Sequence, residues 1–368
     1  MGIKPLSNNV LICPLDWGLG HTSRILPIIF ILQQKSYKIY VSCSKKQYYY
    51  LKNEGINFEW IPTKLPEIRY RKKKINFLNL LNLIQKIYTG ILRDKKNLRK
   101  ILKYQKFDFI ISDNRYGCYH SKIYSIIVTH QLSIKLPTYI KWAEKIVNVY
   151  IKYRINKFDA CWVPDVDTFP KFAGDLSVSK NIKPTYIELL SRFEFIKNNI
   201  SVYTPKYDVL AIISGPEPQK TIFYNILLNQ MKTLKTPCAI VCGNPETTAK
   251  VSQNENVTIY NYANTNLLYS LIKTSNNIVA RSGYSTIMDL LTLKRTAILV
   301  PTPGQTEQEY LANYYQMRKL FVIQLQDSFN LKSALTQLSV YNIDNFNISN
   351  NKLNNIIENL IKQFHNRT

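Results

Sequence analysis

No stretch of the sequence stays apolar for the roughly 18 residues that a membrane-spanning helix requires, so none is expected to cross a bilayer that way. A secretory signal is also lacking. Met1-Gly-Ile-Lys-Pro5 runs straight into Val10-Leu-Ile-Cys-Pro14, which is strand-like and too short for the apolar part of a signal. The start resembles a myristoylation signal only loosely, because position 6 is Leu rather than Ser or Thr. Cysteines stand at 13, 43, 118, 161, 238 and 242, and beyond Cys238 and Cys242 no second pair has metal-ligand spacing. Buried free thiols in a reducing cytosol are therefore expected rather than zinc or disulfides. Acidic residues are few: 24 Asp and Glu face 49 Lys and Arg, for a formal net charge of +25. Such a field favours anionic partners, whether nucleic acid, anionic lipid or phosphorylated substrates. An AT-rich coding bias towards Lys, Asn, Ile and Tyr accounts for part of it. No nucleic-acid-binding module is recognisable, so nucleic acid is not expected as a partner.

What is present is an alternation of short apolar runs and longer helical patterns over 368 residues, enough for two domains. Strands are expected at Val10–Pro14, Lys38–Cys43, Phe58–Ile61, Phe107–Ser112, Ser125–Thr129 and Ala160–Val163. Helices fill Ser23–Gln34, Lys45–Asn53, Asn76–Tyr104 and Thr138–Lys157 between them. After an irregular, proline-bearing connection the pattern restarts at Tyr207–Ile213 and continues to a last helix at about Lys352–Phe364. The fold class is α/β, with two Rossmann-like domains whose parallel sheets face a central cleft. The expected division is 1–190, 191–345 and a C-terminal helix in 346–368 packing back on the first domain.

The helix expected at Asn76–Tyr104 carries an apolar stripe (Phe77, Leu80, Leu81, Ile84, Ile87, Ile91, Leu98) crowded by lysine and arginine. Two readings stand. It docks on an anionic membrane surface, or the stripe packs on the sheet beneath a solvated cationic face.

Candidate site residues gather at turns from strand to helix, where open α/β sheets bind ligands. In Cys13-Pro-Leu-Asp-Trp-Gly-Leu-Gly-His-Thr-Ser-Arg24, Gly18 and Gly20 let the backbone approach a ligand, and His21 can act as general base on an acceptor hydroxyl. The pattern is not GxGxxG, so a dinucleotide fingerprint fits poorly. Asp113 and Arg115 follow one strand and His130 another; Asp113 can orient His21 or bind an acceptor, and His130 is otherwise a satisfied buried histidine. Arg192, at the connection, also belongs to the acceptor side. In the second half, Ile213-Ser-Gly-Pro-Glu-Pro-Gln-Lys-Thr221 offers the N–H groups of Ser214 and Gly215, with Lys220, to a phosphate, although it is not a Walker loop. Arg281-Ser-Gly-Tyr-Ser-Thr-Ile-Met-Asp289 supplies a further turn, in which Asp289 can accept from ribose hydroxyls; Gln305, Glu307 and Gln308 follow the next strand and suit sugar hydroxyls.

Arg281-x-Gly283-x-x-Thr286, with Ser285 between, resembles the Arg-Ala-Gly-x-x-Thr turn of family 28 glycosyltransferases. Asp289 stands where that family has a ribose-binding Glu, Ala297-Ile-Leu-Val-Pro301 resembles its next strand, and Glu307-Gln308 its acidic-Gln pair. Gly18-Leu-Gly-His21 is similar to its N-terminal Gly-Gly-His loop, whereas Ser214-Gly-Pro-Glu-Pro-Gln219 departs from its glycine-rich turn. The resemblance implies the GT-B fold and inverting, metal-independent transfer from a nucleotide-sugar, a UDP-sugar by preference. It implies His21 or Asp113 as base and no cofactor. The one Asp-x-Asp spacing, Asp165-Val-Asp167, lies in the connecting region. The acceptor is expected at or near the inner face of the cytoplasmic membrane. Two alternatives share parts of this pattern: a UDP-sugar 2-epimerase of the same fold, and a non-catalytic binder of anionic surfaces.

Overall fold

Val10 and Ile12 face one way from the first strand and Leu11 and Cys13 the other, and all four are buried. A strand buried on both faces belongs at the centre of a parallel sheet with helices on either side. The computed structural model describes residues 7–63, 77–136, 138–180, 182–196, 206–247, 250–341 and 352–365, with side chains described for all of these but 77–84, 86, 87, 138, 139 and 365.

The first domain runs β1 (Asn9–Pro14), α1 (Leu19–Arg24), α2 (Leu26–Gln34), β2 (Lys38–Cys43), α3 (Lys45–Asn53), β3 (Glu59–Pro62), α4 (Phe77–Tyr104), β4 (Phe109–Asp113), β5 (Tyr124–Val128), α5 (Glu144–Ile155), β6 (Ala160–Val163) and β7 (Thr185–Tyr186). Its sheet has the order β3-β2-β1-β4-β5-β6-β7, with every pairing parallel. The second runs β8 (Tyr207–Ile212), α6 (Gln219–Lys232), β9 (Cys238–Val241), β10 (Val251–Asn254), β11 (Val257–Tyr260), α7 (Thr265–Lys273), β12 (Ser275–Ala280), α8 (Tyr284–Thr292), β13 (Ile298–Leu299), α9 (Thr306–Met317), β14 (Val322–Ile323) and α10 (Leu331–Leu338). The order there is β10-β11-β9-β8-β12-β13-β14, parallel except for the β10–β11 hairpin. The carboxyl ends of β1, β4 and β5 lead into loops that meet those after β8, β12 and β13 across a cleft.

The last helix, α11 (Lys352–His365), returns to the first domain. Leu353, Ile357 and Leu360 join the cluster of Ile28, Leu32 and Phe109, and Lys35 pairs with Glu358 at 2.6 Å. The connecting segment splits its loyalty. β7 completes the first sheet, while Phe172, Ala173 and Leu176 pack into the second domain's core.

Several expectations needed revision. The helix expected at 23–34 is two helices, and His21 lies inside the first. Pro27 is the cause, since it has no N–H to give and its ring excludes a straight helix through Ser23. The 138–157 helix is a 3₁₀ turn (Thr138–Ala143), broken at Ile140, followed by α5. The β10–β11 hairpin was not expected: β10 is largely exposed and so shows no apolar alternation. In α4, Leu98 packs with Leu11, Cys13 and Ile110 of the sheet and Ile91 is buried as well, so the C-terminal half of the stripe is core; the side chains of Phe77, Leu80, Leu81, Ile84 and Ile87 lie outside the described ones. All six cysteines are buried and free. Among the described residues no helix is long and apolar enough to cross a membrane.

Candidate active site

Three neighbouring strand ends of the first domain supply one connected set of side chains. α1 starts after Gly18, whose φ of 108° is open to glycine, and carries His21 and Arg24 one turn apart on the same face. Asp113 closes β4 and is wholly buried. His21 Nδ1 lies 3.2 Å from Asp113 Oδ1, and Arg24 donates from Nε to Asp113 Oδ2 at 3.1 Å and from Nη2 to Oδ1. Burial pushes the Asp113 carboxyl up, but the charge of Arg24 and then of His21 outweighs it and holds the group below the usual carboxylate range.

The set continues across the cleft. Arg24 Nη1 donates to His130 Nδ1 at 2.7 Å. A guanidinium has donors only, so this nitrogen accepts, and the neutral ring carries its proton on Nε2. That atom donates to Glu307 Oε1 of the second domain at 2.8 Å, and Gln131 Nε2 donates to Glu307 Oε2. Burial pushes the His130 ring below its ordinary value, against the pull of Glu307, which agrees with a neutral ring. Burial raises the Glu307 carboxyl, but His130 opposes it and prevails, so Glu307 stays ionised. Tyr284 stacks on the His130 ring at 4.0 Å between centroids, and Ser285 Oγ donates to Gly20 O at 2.9 Å. A Cβ on Gly20 would stand 3.2 Å from Ser285 Oγ, so any larger residue there would have to push the Ser285 side chain back by a few tenths of an ångström.

The cleft encloses about 170 Å³. Of the sequence candidates, Gly18, Gly20, His21, His130 and Arg192 line it from one side. From the other come Ser214, Gly215, Gly283, Ser285, Thr286, Gln305, Glu307 and Gln308. Gln308 accepts Thr302 N–H on Oε1 at 2.8 Å, which turns its Nε2 towards Gly283 and the cleft. Gln305 Oε1 is buried with no hydrogen-bond partner among the described residues, an acceptor suited to a ligand hydroxyl.

Other candidates are placed differently. Asp113 is beneath His21 rather than on the cleft surface. Arg115 turns to the far face of the sheet, where it pairs with Asp94 at 2.5 Å and donates to Ser42 O at 2.6 Å. Arg281 points into its own domain. It donates to Val300 O, Pro301 O, Gln219 O and Gln326 Oε1 and lies 4.0 Å from the Phe223 ring, so it ties the loops together rather than meeting a ligand. Asp289 accepts from Ser191 Oγ at 2.7 Å and Arg192 Nε at 2.9 Å and does not line the cleft. Lys220 donates to Asn244 Oδ1, and burial, with Lys46 opposite, lowers its pKa to about 8. Asp165 spends its carboxylate on the N–H groups of Val166, Phe172 and Ala173 and on Ser177 Oγ, so the Asp-x-Asp spacing serves a turn.

Arg24 and Gln131 escaped the sequence reading. Arg24 could have been found from its position three residues after His21 on a helix. Gln131 adjoins His130 but gave no signal of its own. Trp17, Tyr50 and Tyr262, which also line the cleft, were indistinguishable from core aromatics.

Residues 225–363 match the family described as Glycosyltransferase family 28 C-terminal domain. An uncharacterized glycosyltransferase of Methanosarcina acetivorans is 23% identical over 323 residues, 79% of each chain. The fold is that of the glycosyltransferase of kitacinnamycin, with a TM-score of 0.59, 12% identity and coverage of 98% of this chain and 95% of that one. It is also that of MurG from Acinetobacter baumannii, with a TM-score of 0.51, 13% identity and coverage of 96% and 99%.

Proposed function

We propose, for a chain that is a GT-B glycosyltransferase of the family 28 type, inverting and metal-independent transfer of a sugar from a UDP-sugar to a hydroxyl of an acceptor held at or near a membrane. The observation that carries this reading is the His21–Asp113 contact at 3.2 Å, on the cleft side facing Gly215, Ser285 and Glu307.

His21 serves as the base. Its Nδ1 has two neighbours, Asp113 Oδ1 at 3.2 Å and Arg24 Nη2 at 2.9 Å. The Arg24 guanidinium, which only donates, favours an accepting Nδ1. The base requires the other tautomer: donating from Nδ1 to Asp113 leaves Nε2 with a free lone pair, and Arg24 Nη2 then donates to Asp113 Oδ1 alone. That lone pair takes the acceptor's proton as its oxygen attacks the anomeric carbon from the face opposite the leaving diphosphate. The buried Asp113 carboxylate stabilises the imidazolium so formed, and Arg24 holds Asp113 in place. The N–H groups at Ser214–Gly215 and at the start of α8 receive the departing diphosphate, with Lys220 nearby. Glu307, Gln308 Nε2 and Gln305 Oε1 are left for the sugar hydroxyls, Glu307 after releasing His130 and Gln131.

Donor binding is tested by calorimetry with UDP, thymidine diphosphate and UDP-sugars, followed by a donor screen that reads UDP release with membrane extract as acceptor. No heat with any nucleotide sinks the proposal, and conversion of a UDP-sugar without acceptor moves the enzyme to the 2-epimerases.

A further inference from the structure

Arg281 is 1% exposed, and among the described residues no carboxylate pairs with it. Its hydrogen bonds go to neutral acceptors: Nη1 donates to Val300 O and Pro301 O, both at 3.3 Å, and Nη2 to Gln219 O at 3.0 Å and Gln326 Oε1 at 2.7 Å. The Phe223 ring covers its face. Burial alone pulls the guanidinium down to about 9, with no neighbouring charge to oppose it. Arg24 and Arg115, as deeply buried, each face a carboxylate, Asp113 and Asp94. A buried cation without such a partner is costly to the fold.

Unspent polar groups stand beside it. Arg281 Nε, Gln219 Nε2 and Thr302 Oγ1 are buried with no hydrogen-bond partner among the described residues. Thr302 Oγ1 lies under Gly215, 3.8 Å from where a Cβ would be, and Gly215, with a φ of 104°, lines the cleft. The start of α6 is itself short of donors. Pro216 and Pro218 carry no N–H, Lys220 N–H is spent on Pro216 O at 3.1 Å, and Thr221 N–H on Glu217 Oε2 at 3.1 Å. A turn with few free N–H groups and a carboxylate at its mouth is a weak cradle for an anion.

We propose that Arg281 is the buried counter-charge for the donor's diphosphate, held behind the Gly215 turn and acting on it without contact. Gln219 and Thr302, both buried, lie between the guanidinium and the turn, so little water screens the charge. The diphosphate completes an ion pair whose cationic half is part of the fold. The inference deepens the donor reading of this cleft and rests on it. Arg281 is a positioning residue that sets affinity for the diphosphate and not for the nucleoside.

Gln326→Glu separates this role from a purely structural tie. Its carboxylate takes the place of Oε1 at the 2.7 Å contact with Nη2. Gln219, whose Oε1 accepts from Gln326 Nε2 at 2.8 Å, turns its amide over and donates its unspent Nε2 to the new group. The change strengthens a tie but quenches a counter-charge. UDP is titrated by calorimetry and uridine by ligand-observed NMR, beside the melting temperature. Expected for Gln326→Glu is UDP affinity about tenfold or more weaker, with uridine affinity unchanged and a melting temperature no lower than the wild type's. Unchanged UDP affinity overturns the inference. So does an equal loss for UDP and uridine, which marks a distorted turn. If Gln326→Glu does not fold, Arg281→Lys is set against Arg281→Gln. Lys keeps the preference for UDP over uridine and Gln loses it; the same preference in both overturns the inference. A wild type that ignores UDP sinks the transferase reading and this inference together, whereas UDP binding that Gln326→Glu leaves untouched sinks the inference alone.

Discussion

Arg24 is the side chain on which the first-domain half of the site depends. Its guanidinium meets both oxygens of Asp113 and a ring nitrogen of each of two histidines, while 2% exposed. Arg24→Met leaves the Asp113 carboxylate buried without its main counter-charge and is expected to cost about 3–5 kcal/mol in thermal or denaturant unfolding. Arg24→Met/Asp113→Asn is expected to cost less than the sum of the single changes. His21→Ala should lower single-turnover rates by about 10²–10⁴-fold with little change in donor affinity by calorimetry. Nitrogen NMR of His21 should find the proton on Nδ1; a proton on Nε2 removes it as the base. At this scale the sequence revealed residue types and turns but not the direction of side chains. His21 and Asp113 were legible because they sit at strand ends. Arg281 follows a strand end too and Asp289 lies in the helix after it, but Arg281 turns inward to carbonyl oxygens and Asp289 is taken up by Ser191 and Arg192 from the connecting segment.

Among the elements, α5 and the connecting segment behave least like their sequence pattern. A periodic apolar pattern on α5 reads as one buried face, but Ile146, Val149 and Tyr153 stay exposed while Val147, Ile151 and Ile155 pack into the core. Two faces emerge only when the sheet claims one of them. In the connection, Glu194 is pushed up to about 8 by burial and then by Glu188, whose Oε2 is buried without a partner among the described residues. A carboxyl raised in the fold is protonated there, and ionising it opposes folding as pH climbs from about 4.5 to 8. Glu194→Gln should therefore raise the melting temperature at pH 9 by a few degrees and change it little at pH 5. An equal gain at both values would mean that the ionisation is not the cause.

For the whole molecule, several contacts hold the two domains close. Glu307 binds His130 and Gln131, Ser285 meets Gly20, and Glu54 of the first domain accepts Thr265 N–H at the start of α7 at 3.0 Å. The buried charges set the acid limit of stability. Asp113 and Glu307 are held below their ordinary values, so each stabilises above about pH 4 and its share is lost as pH falls further. His130 is also held down, so its share is complete above about pH 6.5 and shrinks below it. Calorimetry from pH 8 down to 2 should show the melting temperature falling from about pH 6.5 onward, with Asp113→Asn flattening the part below about pH 4. Turnover should be unchanged by a chelator if the diphosphate is received by N–H groups and Lys220 alone; loss restored by a divalent cation would overturn metal independence.

The alternation of apolar runs and helical patterns determined two parallel sheets, because periods of two and 3.6 residues are local properties of the chain. Strand-end turns with glycine, histidine and polar residues likewise marked where a ligand would sit, since sheet topology puts those ends on one side. Only the tertiary structure decided which of those side chains face the cleft. Arg24 reaches His130, 106 residues away in sequence, and His130 reaches Glu307, 177 residues further on. Such contacts depend on the packing of two domains rather than on any local pattern. The same holds for Arg281, whose lack of a counter-charge is decided by what packs around it.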